Sequence, residues 1–149
     1  MAENDLIKLY STRILALASD IPHLGRLDAP DATVRRRAPQ CGSSIVVDVG
    51  LTDGRVTQFA QEVKACALGQ AAASILGREI LGLGRHELLL ARDGLEKMLK
   101  ADGPVPAAPF DGFEVLLPAR DYANRHGSIM LAVEASLEAI DEALSAACA

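Results

Sequence analysis

Ile45, Val47, Val49 and Leu51 alternate with Val46, Asp48 and Gly50, and the run closes on Thr52-Asp53-Gly54-Arg55. A period of two followed by an Asp-Gly pair predicts a β-hairpin, with its second strand running from about Arg55 to Lys64. This constrains the fold more than any other segment. An antiparallel pair needs its apolar face covered, and its turn sends the chain back to the end where the first strand began. Cys41 precedes the first strand, and Cys66 follows the second at the start of an alanine-rich helix. The hairpin therefore brings two thiols together although they are 25 positions apart in the chain.

The remaining segments are helical or irregular. Leu6, Tyr10, Ile14 and Leu17 recur at nearly helical spacing and predict a helix from Asn4 to Ser19, with Asn4 or Asp5 as its cap. Residues 20–33 contain Pro22, Gly25 and Pro30 and read as an extended loop. After Cys66, Gly69 to Leu76 form a helix made smooth by small residues, which Gly82 and Gly84 end. His86 to Lys100 reads as another helix, weakened by Gly94, and Pro104, Pro106 and Pro109 mark a rigid surface loop. A last helix from about Ser128 to Ala146 places Ile129, Val133, Leu137, Ile140 and Leu144 on one stripe. With 149 residues and no internal repeat, residues 1–149 read as a single α+β domain.

The function classes narrow with composition. A net charge of −5 argues against nucleic-acid binding as the main task. The one cationic run, Arg35-Arg36-Arg37, reads as a solvated loop or strand edge, or more sharply as a docking point for an acidic partner. No window is apolar enough for a membrane span, and the N-terminus lacks the basic start of a secretory signal, so the expected place is the cytoplasm. In that reducing compartment the three cysteines are expected to be free or metal-bound.

Cys41, Cys66 and His126 are the candidate site. Pro39 and Gly42 flank Cys41 closely enough for an open turn that directs backbone N–H groups at the sulfur. Cys66 stands in the first turn of its helix, where unpaired N–H groups and the helix dipole favour an anionic sulfur. His126, in Asn124-Arg125-His126-Gly127-Ser128, leads into the last helix, whereas His23 and His86 lack such a placement and read as solvated. Thiolate and neutral imidazole suit zinc or iron.

Leu24-Gly25-Arg26-Leu27-Asp28-Ala29-Pro30, Pro39-Gln40-Cys41-Gly42, Asp53-Gly54-Arg55-Val56 and Cys66-Ala67 with Ala71, Ala73 and Ser74 follow one another in an order that resembles the NifU/IscU-type iron–sulfur cluster assembly scaffold family. The resemblance extends from Tyr10 to about Leu144. It implies an α+β fold with a small antiparallel sheet of about three strands, packed on one face by four to five helices. It also implies a scaffold rather than an enzyme, holding iron or a labile [2Fe–2S] cluster. A cysteine desulfurase would supply persulfide sulfur, and acceptor apo-proteins or chaperones would take the cluster onward.

By the same resemblance, Cys41 and Cys66 match the first two cluster cysteines, either of which is a candidate persulfide acceptor, and His126 matches the histidine beside the third. Two positions depart from the pattern: Ser43 replaces an Asp, and Gly127 replaces the third cysteine. Cys148 lies a helix away, about 30 Å at 1.5 Å per residue, too far to substitute. Three ligands are one short of the usual four, so binding is expected to be weak unless an outside thiolate or a homodimer sharing Cys41 and Cys66 completes the set. A zinc-bound sulfur acceptor and a metal-free interaction module of the same fold are the alternatives.

Overall fold

The computed structural model describes residues 10–40 and 42–148. Its centre is a three-stranded antiparallel sheet in the order β1 (Ala32–Ala38), β2 (Ser43–Thr52) and β3 (Arg55–Lys64). Among the described residues the helices are α1 (Thr12–Ala18), α2 (Ala67–Glu79), α3 (Arg85–Lys100), a 3₁₀ segment (Asp111–Asp121) and α4 (Ala123–Cys148). This is the expected α+β architecture.

The β2–β3 hairpin forms as its alternation requires. Asp53 and Gly54 take φ values of +53° and +76°, the left-handed pair that matches the twist of the flanking strands, and Thr52 pairs with Arg55 across the turn. From there the register runs back to Ser44 opposite Lys64. Val47 and Val49 face the helices, and α4 lies beneath β1 and β2.

β1 begins at Ala32, which corrects the expectation of a loop running to residue 33, and it lies at the sheet's edge, the strand-edge placement expected of the arginines. The triple Arg35-Arg36-Arg37 hides a period-two pattern in which Val34 and Ala38 are buried while Arg35 and Arg37 are exposed. Arg36, on the helix side, reaches Glu138 at 2.7 Å and lies near Glu134 on α4. The preceding segment is not strand, as expected, yet it is tied down. The Gln61 N–H donates to the His23 carbonyl and the Gly25 N–H donates to the Gln61 carbonyl, so this segment covers the outer edge of β3.

Two helix boundaries also differ, and one helical segment is unexpected. Among the described residues α1 begins after Ser11, whose hydroxyl accepts the Ile14 N–H, so Tyr10, expected in a helix, lies in a turn before it. The proposed caps Asn4 and Asp5 lie outside the described residues. α4 starts at Ala123, five residues before the expected start, because Gly127 is accommodated inside the helix. The 3₁₀ segment was not expected from sequence: Pro118 and scattered apolar residues mask it, but Phe113, Leu116 and Ala119 are buried.

On the face of the sheet away from the helices, Asp48 is fully buried. Its carboxylate accepts hydrogen bonds from Arg26 Nε at 2.7 Å, from the Leu27 N–H at 2.9 Å and from the Thr33 hydroxyl. Burial alone would push this carboxyl up, but these hydrogen bonds and the Arg26 charge outweigh it and hold the group below the ordinary carboxylate range. A depressed carboxyl adds stability above its unfolded value, near pH 4, and loses it as pH falls through the folded value. Asp48→Asn should therefore lower unfolding stability at pH 7 by about 2 kcal/mol, and the gap to wild type should close progressively below about pH 4. Urea melts of both proteins across pH check this, and equal stability at pH 7 would contradict it.

Candidate functional site

One end of the sheet gathers the predicted site. There β1 ends at Ala38, β2 begins at Ser43, β3 ends at Lys64, and α2 and the first turns of α4 begin. Cys41 lies outside the described residues. Of its surroundings in sequence, Gly42 takes a φ of +71°. The Gly42 N–H donates to the Ala38 carbonyl at 3.0 Å and closes the turn, while the expected N–H environment of the Cys41 sulfur lies outside the described residues.

Cys66 occupies the N-cap of α2, one position before the expected first turn, with extended backbone angles of −67° and 170°. Its side chain caps none of the helix N–H groups, so the half-buried sulfur is left for other partners. The partner present is Ser128, whose Oγ lies 3.5 Å from the Cys66 sulfur and 2.9 Å from the Ser43 Oγ. Ser43 and Ser128 are both buried. Gly69, one turn into α2, makes this approach feasible: a Cβ there would lie 2.3 Å from the Ser128 Oγ.

His126 is in the first turn of α4 and is buried, not solvated. Its Nε2 lies 2.9 Å from the Ala119 carbonyl oxygen and 3.1 Å from that of Arg120. Carbonyl oxygens only accept, so Nε2 carries the hydrogen, and in the neutral ring Nδ1 then keeps the lone pair a metal would use. The arrangement has the form of an anchored metal-ligand histidine, in which a backbone carbonyl fixes ring orientation and tautomer. The anchor is itself held, because Arg120 donates to the carbonyls of Met98 and Gly103 and pairs with Asp102.

The structure thus brings Cys66 to α4 through Ser128, while the His126 ring is directed at the 3₁₀ segment. Positions two apart on a helix do not share a face. Among the described residues, no three His, Cys, Asp or Glu side chains gather in a way that could hold a metal ion. Gly127, at the place of the missing cysteine, has room for a side chain: a Cβ there would rest 3.5 Å from that of Ala38, an ordinary contact. Cys148 ends α4, at the far end of that helix from His126.

His23 packs its ring edge-on against Phe59 at 6.0 Å, and His86 lies on α3, both outside this group. Ser128 is the residue that sequence reasoning missed. Its one signal was a small polar residue beside the apolar stripe that begins at Ile129.

No family model matches the chain. Among curated proteins it is 31% identical over 96 residues to the iron–sulfur cluster assembly scaffold protein IscU of Thermotoga maritima, a match spanning 63% of this chain and 66%, just under two thirds, of that relative. Among solved structures it is similar to the N-terminal NifU-like protein of Brucella abortus, with a TM-score of 0.92 and 39% identity over 95% of this chain and 98% of that one. An iron–sulfur cluster assembly scaffold protein of the SUF system from Fervidobacterium islandicum shares the fold, with a TM-score of 0.79 at 16% identity over 90% and 98% of the two chains. With this fold, and with 39% identity over nearly all of the Brucella chain, the protein belongs to the NifU/IscU-like family of iron–sulfur cluster assembly scaffolds.

Proposed function

We propose that the chain works as a one-domain cytoplasmic scaffold in iron–sulfur cluster assembly and holds iron or a labile [2Fe–2S] cluster as cargo through Cys41, Cys66 and His126. The observation that carries this reading is the meeting, at one end of the sheet, of an N-cap cysteine whose sulfur caps nothing with the first turns of α4. The described donors are of the chemical kinds that such cargo takes. Cys66 offers sulfur, and His126 offers Nδ1 after Nε2 has been committed to backbone carbonyls. Cys41 joins them by the family resemblance.

Three ligands leave one position open on a cluster that normally takes four. Gly127 leaves that position to a thiolate from outside the chain, supplied by a partner or by a second copy in a homodimer. Sulfur reaches Cys41 or Cys66 as persulfide from a cysteine desulfurase, and acceptor apo-proteins or chaperones receive the product. Incomplete ligation suits this task, since a scaffold has to release what it builds. No helix among the described residues is long and apolar enough to cross a membrane.

Anaerobic incubation with ferrous iron and sulfide should give a visible sulfur-to-iron charge-transfer spectrum, which Cys41→Ala or Cys66→Ala removes. A colourless wild-type protein, beside a Brucella relative that loads in parallel, would refute the proposal. About one zinc per chain after purification would favour the zinc-bound sulfur acceptor instead. Partner binding unchanged in the double Cys41→Ala/Cys66→Ala variant, without any metal, would leave only an interaction module.

Gly127→Cys should restore a fourth ligand without a clash, because Ala38 is in ordinary contact range. We expect the loaded cluster to survive chelator at least roughly ten times longer than in wild type, a change of about 1.4 kcal/mol in the barrier. An unchanged decay rate would show that position 127 does not face the cargo.

A further inference from the structure

The sheet has two edges, and the chain treats them differently. β3 is covered by its own chain, since residues 23–25 exchange backbone hydrogen bonds with Gln61. β1 pairs with β2 along one side, and along the other it faces no strand among the described residues. Exposed edges are usually made unfit for pairing by shortness, a bulge or a proline. β1 has none of these: its seven residues, Ala32–Ala38, run in unbroken register against Val49 to Ser43, and no proline interrupts them. What remains to select a neighbour is charge, in the exposed Arg35 and Arg37. From these observations we infer that β1 is a docking edge, to which an extended acidic segment of a partner protein adds as a fourth strand of the three-stranded sheet.

The side chains set the sequence such a strand needs. Arg35 and Arg37 are two apart and so share one face of the strand, the face away from the helices, where they stand opposite Val46 and Ser44 of β2. An added strand places alternate side chains within about 5 Å of them, close enough for two carboxylates to form cross-strand ion pairs. On the helix side, Arg36 borders a shallow groove of about 350 Å³ shared with α3 and α4. The arginines of this groove are already paired, Arg36 with Glu138 and Arg85 with Asp141, and Leu89 and Leu137 supply apolar lining. The matching strand therefore alternates carboxylates with apolar residues. One end of a segment docked here lies at the end of the sheet where α2 and α4 begin, beside the candidate site.

Titration of the full chain with the synthetic peptide acetyl-Thr-Glu-Val-Glu-Val-Glu-Thr-amide, followed by NMR, tests this. Binding should shift the amide signals of residues 32–37 and slow hydrogen exchange about tenfold at every second one, since only alternate N–H groups face the free edge. A peptide with lysine in place of glutamate should bind roughly ten times more weakly for want of charge complementarity. One N-methylated at every residue should lose as much for want of backbone donors. Arg35→Glu/Arg37→Glu, at two exposed positions, should reverse the order of the acidic and lysine peptides.

Equal binding of the N-methylated peptide would reduce the edge to a charged patch, and equal binding of the lysine peptide would remove the selection. Either result overturns the inference, as does an acidic peptide that leaves residues 32–37 unshifted at millimolar concentration. A single-stranded oligonucleotide that binds Arg35 and Arg37 more tightly than the acidic peptide would assign them to phosphate and overturn it as well. Should the double variant fail to fold, the three peptides against the wild-type chain still decide. None of these readouts uses metal, so the docking edge and the scaffold reading can fail separately.

Discussion

The register of the β2–β3 hairpin is the constraint on which the site depends. Asp53 and Gly54 hold a left-handed turn, and every pair from Thr52–Arg55 back to Ser44–Lys64 follows from it, with one irregularity at Gly50 and Leu51. A slip of one residue would turn Val47 and Val49 away from the helices and send Asp48 toward them. It would also displace Ser43 relative to Cys66 at the far end. The Arg26–Asp48 group guards against such a slip, since a buried carboxylate with several donors tolerates only one placement.

Small residues then bring the helices close enough for polar atoms to meet. Ala71, Ala72 and Ala73 are buried on α2, and Gly69 lets α4 approach until the Ser128 hydroxyl reaches between strand and helix. With 3% aromatic residues and no Trp, the core relies on close packing of small and branched side chains rather than on a few large ones. The site inherits that precision, because its polar atoms are placed by backbone contacts of these helices.

Much of this was legible in the sequence. The hairpin announced itself through strict alternation and the Asp-Gly turn, and the helix after Cys66 through its run of small residues. β1 was obscured because three consecutive arginines conceal which one faces inward, a matter decided by Glu134 and Glu138 on a helix about a hundred residues later. The 3₁₀ segment has no 3.6-residue period to read and contains a proline, so its burial depends on tertiary contacts such as those of Arg120. His126 could be singled out as a candidate, but its anchoring to the Ala119 and Arg120 carbonyls could not, since backbone acceptors leave no mark on composition. The contact of Ser128 with Cys66 was hidden for a related reason: it arises where two helices cross.

The covering of β3 by residues 23–25 has a consequence for how copies of this chain could meet. With that edge occupied, β1 is the sheet's remaining edge strand among the described residues, and it carries the exposed Arg35 and Arg37. Two such edges brought side by side would set like charges against each other, a common guard against sheet-to-sheet association. Copies sharing cargo would therefore have to approach end-on, across the strand tips where Gly42, Cys66 and Gly127 lie. Lateral growth into an extended sheet is disfavoured by the same charges, which do not stand at the tips.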